Sequence, residues 1–276
     1  NTRAKPLISL PTRLRRGLLS GFIMPAVVLS TAKDGVSLDF NGIEVNAEHH
    51  AMLLQLENRL GKVEYIIDGE PTSGFEGVSK SGDDSFTIHI SSKYTGDALA
   101  CRIAHQLLYA LQMKEGYPLM RPADAGVVWQ QLLADSINRL ILELKATDEA
   151  KAMGFDHSYI FKKRYKEIKT FADLHSGQPL DSFQSRWFAV DLALALIFLP
   201  PDKLNFLLSI LTGKEDNAVG MALAIIKLIE KIGYTTSGRA FLAMAEINTL
   251  LDIWECFPIH YGDKIISSSS QYLSEF

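Results

Sequence analysis

His105, Gln106 and Tyr109 are the side chains of this sequence whose types and spacing point most directly to chemistry. Residues four apart lie on one face of a helix, so the imidazole of His105 and the phenol of Tyr109 are expected to point to one place. An imidazole ligates metal or accepts a proton, whereas a phenol donates a hydrogen bond and ligates metal only as phenolate. Gln106 can orient a water molecule, but its amide has no titratable group and cannot act as a general base.

This spacing is that of the zinc-hydrolase motif H-E-x-x-H with two functional positions changed. In the motif, two histidines hold zinc from one helix face, and the glutamate takes a proton from the zinc-bound water. Here Gln106 stands in place of the glutamate and Tyr109 in place of the second histidine. The phenol would have to lose its proton against an ordinary pKa of about 10. The motif therefore predicts a site with no catalytic residue and no bound metal.

The run from Ile103 to Leu111, with Gly116-Tyr117-Pro118 soon after it, resembles the motif helix of the zincin metallopeptidases. The resemblance covers roughly residues 36 to 145. It implies an edge strand just before the motif helix, where an extended peptide pairs with the sheet. The alternating segment from Phe86 to Ser91 stands in that order and is the candidate strand.

The resemblance also implies a third metal ligand on the helix that comes after the motif. Asp135 and Glu143 are alternatives for that position, about two turns apart. Asn138 lies between them, so a lost ligand is equally open. His89, on the polar face of its strand, is expected either to share a cleft with His105 or to face solvent. The predicted vestigial cleft consists of His105, Gln106, Tyr109, His89, Asp135 and Glu143.

The elements that position these residues change from strand to helix along the chain. Apolar alternation predicts strands over 36–40, 43–45, 63–67 and 86–91, with a tight hairpin turn at Asn41-Gly42. Helical spacing predicts helices over 47–60, 96–114 and 123–144, and Thr95 is the expected cap of the second. Further helices are predicted at Asp148–Met153, His157–Asp173, Phe183–Leu199, Asp202–Leu211, Ala218–Ile232 and Gly238–Cys256.

These elements predict an α+β fold, in which a small mixed sheet with a zincin-like motif helix precedes a mainly helical region. Residues 1–35 are expected to form an N-terminal arm, 36–176 the zincin-like region and 177–276 the helical region. Gly177-Gln178-Pro179 marks the boundary, because it separates a charged helix from strongly apolar ones.

The composition excludes some classes of partner. The 276 residues include 28 basic and 32 acidic side chains, so a net charge of −4 gives no footprint for nucleic acid. Cys101 and Cys256 belong to no paired motif, which favours free thiols and a cytoplasmic location. Export is the alternative, because Arg13 and its basic neighbours precede an apolar stretch from Gly17 to Leu29 that resembles a signal peptide, although Pro25 interrupts it.

The function expected from these residues is non-catalytic: a metallopeptidase-like protein, without cofactor, that binds a peptide or protein in the vestigial cleft near His89 and Tyr109. One alternative is a zinc-dependent hydrolase with substituted ligands. The other is a helical structural or assembly protein unrelated to zincins, forming a homo-oligomer through its helical region. The apolar run from Trp187 to Leu199 would supply that surface. This run is not expected to span a membrane, because it contains Asp191 and is shorter than the roughly 20 residues that a span needs. A buried helix is its simpler interpretation.

Overall fold

The fold is known from a computed structural model. The structure describes residues 37–40, 43–68, 77–82, 85–91, 94–155, 165–171, 173, 180–211, 213 and 215–275. The predicted N-terminal arm, the signal-like stretch, the hairpin turn at Asn41-Gly42 and the boundary at Gly177-Gln178-Pro179 lie outside the described residues.

The strands of the described residues form three small sheets. The first is an antiparallel hairpin of β1 (Ser37–Phe40) and β2 (Ile43–Asn46). The second is a mixed sheet of β3 (Lys62–Asp68), β4 (Gly77–Gly82) and β5 (Ser85–Ser91). The third is antiparallel and contains β6 (Leu119–Met120), β7 (Ile259–Tyr261) and β8 (Lys264–Ile266). The third sheet has no counterpart in the sequence predictions.

Most of the described chain after the mixed sheet is helical. The helices are α1 (Ala47–Leu60), which precedes that sheet, and then α2 (Gly96–Lys114), α3 (Val128–Ala152), α4 (Ser182–Phe198), α5 (Pro201–Leu211), α6 (Asp216–Ile232), α7 (Ser237–Leu251) and α8 (Ser269–Glu275). Residues 165–171 are helical as well. The predicted α+β class, with a small mixed sheet and a mostly helical remainder, is confirmed. Among the described residues, no helix is long and apolar enough to cross a membrane.

The observed helix boundaries agree with some of the predicted ones and differ from others. Helices α1 and α2 begin and end at the predicted residues, and Gly61 ends α1 with a φ of 102° that favours glycine. Thr95 is the N-cap residue of α2, but its side chain makes no capping hydrogen bond, so that part of the prediction is wrong. The two helices predicted over 123–144 and 148–153 are one continuous helix, α3.

The strand before the motif helix lies at the centre of its sheet. Strand β5 pairs in parallel with β3 and antiparallel with β4, in the order β3-β5-β4. The backbone groups on both of its sides are therefore occupied. The expectation that Phe86 to Ser91 forms an edge strand is wrong, because β3 and β4 pair with its two sides and leave neither open to a peptide.

The core around the motif helix lies between the mixed sheet and two helices. Phe86, Ile88 and Ile90 project from one face of β5 and are buried. They belong to one apolar cluster with Ile103 and Leu107 of α2, which also includes buried side chains of α1 and the hairpin. This packing fixes which face of α2 turns away from the sheet.

The strongly apolar helix α4 is part of the core. Phe188, Leu192 and Leu196 are all buried, as expected of a helix that is apolar on most of its surface. Helix α4 packs against α3 and α6. The interpretation of this run as a buried helix is confirmed, and a homo-oligomer formed through the helical region stays a prediction.

Candidate functional site

The motif residues of α2 lie inside the protein. His105 is 2% exposed and Gln106 is 4% exposed, while Tyr109 is partly buried. Helix α2 packs on the sheet and α1, and α3 packs against it as well. The imidazole and the amide of the motif are therefore held between elements of the chain and not on the wall of an open cleft.

Glu143 of α3 brings the two altered motif positions together. One carboxylate oxygen, Oε1, lies 3.4 Å from Nδ1 of His105. The hydroxyl of Tyr109 donates a hydrogen bond to the other oxygen, Oε2. The rings of His105 and Tyr109 meet edge to face, with centroids 6.0 Å apart. Of the two carboxylates that the sequence offered as a third ligand, the structure places Glu143 beside the motif.

A further polar contact joins the same two helices. Nε2 of Gln112, which is fully buried on α2, donates to the carbonyl oxygen of Leu142 at 3.2 Å. His105, Tyr109 and Gln112 thus all face α3 from successive turns of α2. These contacts hold the motif helix to its neighbour by hydrogen bonds as well as by apolar packing.

The environment of Tyr109 keeps its phenol protonated. Burial raises the pKa of Tyr109 well above its usual value, and the charge and hydrogen bond of Glu143 raise it further. Arg139 and Arg102 lower this pKa to a smaller degree. Since a phenol ligates metal only after losing its proton, the same contacts that bury Tyr109 oppose its use as a ligand.

Asp135 and Asn138 lie apart from the motif. Oδ1 of Asp135 accepts a hydrogen bond from Nε2 of Gln131 at 2.8 Å, and burial raises the pKa of this half-buried carboxyl. Asn138 binds the backbone of Met120 twice, because its side chain donates to the carbonyl oxygen and accepts from the amide, both at 2.7 Å. Asn138 therefore anchors strand β6 and is not positioned as the remnant of a ligand.

His89 does not meet His105. Successive side chains of a strand point to opposite faces, and the buried neighbours Ile88 and Ile90 belong to the face that packs on α2. His89 is partly exposed on the other face. Within the described residues, no group of three or more His, Cys, Asp and Glu side chains is arranged to hold a metal ion.

No protein-family model, curated protein or solved structure matches the chain. The relation to metallopeptidases stays a resemblance, carried by the motif residues and by the order of strand and helix.

A pocket that the sequence does not predict includes Asp135, about two turns along α3 from Glu143. Its volume is about 320 Å³, and its walls come from α3, the helical residues 165–171 and α4. The sequence predicts Asp135 only as an alternative metal ligand, and it predicts no role for Arg139, one turn further on. The sequence signal for this pocket is the presence of an acidic and a basic residue, Asp135 and Arg139, four apart on one helix. The aromatic residues that complete the pocket are brought close only by tertiary packing, which the sequence does not show.

Proposed function

We propose that the chain is a non-catalytic, metallopeptidase-like protein in which the motif residues have a structural role. The observation that supports this most directly is the contact of Glu143 with both His105 and Tyr109 in a buried position. A carboxylate that sits between an imidazole and a phenol links α2 to α3 where a metal ion would have been held. Hydrogen bonds to a charged group contribute about 1.5–3 kcal/mol each.

The chemistry of the remaining groups argues against hydrolysis. Gln106 has no proton-accepting group that works near neutral pH, and it is almost fully buried. Tyr109 would have to ionise against its raised pKa to become a ligand. Substrate would also have to reach His105, which is 2% exposed. A hydrolase with substituted ligands is therefore the weaker alternative.

Metal analysis distinguishes these two functions. We expect the protein purified without chelators to contain well under one zinc per chain by elemental analysis, and to show no cleavage of a fluorogenic casein substrate. Glu143→Gln and the control Glu255→Gln, at an exposed glutamate, are expected to leave the zinc content unchanged. One zinc per chain that is lost on His105→Ala and on Glu143→Gln, but kept in the control, would establish the hydrolase alternative.

We also propose that a peptide or protein partner binds this chain, at strand β4 and not in the cleft expected near His89 and Tyr109. Strand β4 is at the edge of the described mixed sheet, and its Ser79 and Lys80 are exposed. An extended peptide can add to such an edge through backbone hydrogen bonds. The register shift between Lys80 and Gly82 interrupts regular pairing, so the usable stretch is Gly77 to Lys80.

Hydrogen exchange tests this placement. Peptides selected from a displayed random library against the full chain are expected to slow amide exchange within residues 77–80 when bound. Protection that appears only elsewhere, or a selection that yields no binder, would refute the β4 edge as a peptide site.

A further inference from the structure

The pocket beside α3 combines a polar wall with an aromatic one. Its lining consists of Leu132, Asp135, Ser136, Arg139, Glu167, Ile168, Phe171, Trp187, Phe188 and Asp191. Ser136, Ile168, Phe188 and Asp191 are buried and form its deeper part, whereas Leu132 and Glu167 are exposed at its rim. A volume of about 320 Å³ is at the lower end of the range for sites that hold small organic molecules.

Asp135 and Arg139 face this pocket from consecutive turns of α3 with binding capacity to spare. The only hydrogen bond of Asp135 within the described residues comes from Gln131, to Oδ1, so Oδ2 can accept another. Arg139 makes neither a hydrogen bond nor an ion pair in the described part of the chain, although its charge lowers the pKa of the Asp135 carboxyl. A carboxylate and a guanidinium therefore line one wall with no hydrogen bond between them.

The opposite wall is built to contact an apolar group. The ring of Phe171 meets Trp187 edge to face at 5.1 Å and stacks on Phe188 at 4.8 Å. Aromatic side chains held in this way present large, rigid apolar surfaces. With Ile168 beside them, they favour an aliphatic or aromatic side chain over a polar one.

The two charged residues on the α3 wall limit the class of ligand that fits. Asp135 is acidic and Arg139 is basic, so a simple anion would leave the carboxylate of Asp135 unused. A simple cation would leave the donors of Arg139 unused. A molecule with an ammonium and a carboxylate on neighbouring atoms satisfies both Asp135 and Arg139, since a guanidinium binds a carboxylate through two parallel hydrogen bonds.

We propose that this pocket binds a single free α-amino acid with an apolar side chain. The ammonium lies against Asp135, the carboxylate against Arg139, and the side chain against Phe171, Trp187 and Phe188. The volume holds one residue and not an extended peptide. This site is independent of the motif at His105, and its existence does not depend on the non-catalytic role proposed above.

A series of related compounds tests the proposal on the unaltered chain. By isothermal titration calorimetry we expect L-phenylalanine to bind at least about tenfold more tightly than 2-phenylethylamine, which lacks the carboxylate, and than 3-phenylpropanoate, which lacks the ammonium. L-Serine keeps both charges but lacks the apolar group, and is expected to bind at least about tenfold more weakly. Equal binding of the amine and the amino acid, equal binding of phenylpropanoate, or no binding of L-phenylalanine would each overturn the proposal.

Two substitutions that each remove one charge test the residue assignments. Asp135→Asn and Arg139→Gln are each expected to weaken L-phenylalanine binding about tenfold or more. The matched controls Asp263→Asn and Arg239→Gln alter exposed residues outside the pocket and are expected to leave binding unchanged. Unchanged binding in the two pocket variants would overturn the assignment. If a pocket variant fails to fold, as judged by circular dichroism, the compound series on the unaltered chain still decides the proposal.

Discussion

The substitution of tyrosine at the second motif position matches the chemistry of the carboxylate beside it. Glu143 is 8% exposed, and a buried carboxylate is costly unless hydrogen-bond donors surround it. A second zinc-binding histidine would direct an unprotonated nitrogen at a metal ion. Tyr109 instead directs a hydroxyl at Oε2 of Glu143 and supplies a donor without any metal. Tyr109 therefore stabilises Glu143 at the position where the zinc motif has its second histidine.

The hydroxyl of Tyr109 can be removed with little other change. We expect Tyr109→Phe to lower the free energy of unfolding by about 1–3 kcal/mol, because the buried Glu143 loses the hydrogen bond that the hydroxyl donates to Oε2. Urea denaturation followed by circular dichroism measures this change. Tyr261→Phe is the control, since the Tyr261 ring stacks on Phe241 and its hydroxyl has no hydrogen bond among the described residues. A loss as large in the control as in Tyr109→Phe would contradict the role given to the hydroxyl.

Restoring the two altered motif residues tests whether the site has the geometry of a metal site. We expect the double variant Gln106→Glu/Tyr109→His to bind about one zinc per chain, with His105, the new histidine and Glu143 as ligands. Zinc should then raise its melting temperature, since a ligand that binds only the folded state stabilises it. Elemental analysis and thermal melts measure both effects.

The control for this restoration adds His105→Ala to the double variant. It keeps the new glutamate and histidine but lacks the one ligand that the natural sequence retains. Zinc uptake that persists in this triple variant would mean that the ion binds elsewhere, and the metal-site interpretation of α2 and α3 would fail.

At the scale of elements, local sequence predicts the helices and fails where pairing is between distant segments. Helix α2 follows its apolar stripe and begins after Thr95, so its limits are local properties. Strands β7 and β8 have three residues each and pair with each other, and β7 also pairs with β6, over a hundred residues earlier in the chain. The central place of β5 likewise depends on β4, whose Gly- and Ser-rich sequence carries no strand signal. The same limit applies to the site. The sequence predicts either Asp135 or Glu143 beside the motif, and only the packing of α3 on α2 shows that it is Glu143.

Strand β6 depends on one side chain of α3. Asn138 satisfies both backbone groups of Met120, so we expect Asn138→Ala to cost about 1–3 kcal/mol and to speed exchange of the Met120 amide. Hydrogen exchange resolved by NMR measures this amide directly. Asn217→Ala, at an exposed position of α6, is the control and should leave the amide protected. An unchanged Met120 amide in Asn138→Ala would show that pairing with β7 alone holds the strand.

At the scale of the whole molecule, α3 contacts both the early and the late elements of the described chain. It packs against α2 before it and against α4 and α7 after it. Glu143 faces the motif, Asp135 and Arg139 line the pocket, and Asn138 holds β6. Because one helix provides these three contacts, a change in its packing is expected to reach regions that are far apart in sequence.

Ile137, which is fully buried on α3, tests this coupling. We expect Ile137→Ala to lower the free energy of unfolding by about 2–5 kcal/mol and to increase exchange both in residues 43–155 and in residues 180–275, since both pack on the same helix. Hydrogen exchange followed by mass spectrometry measures both regions in one experiment. The control is Ile265→Ala, at an exposed residue of β8, which is expected to change neither the stability nor the exchange by much. Faster exchange confined to residues 180–275 would mean that the helical region beyond residue 177 unfolds as a separate unit, and that α3 does not couple it to the sheet.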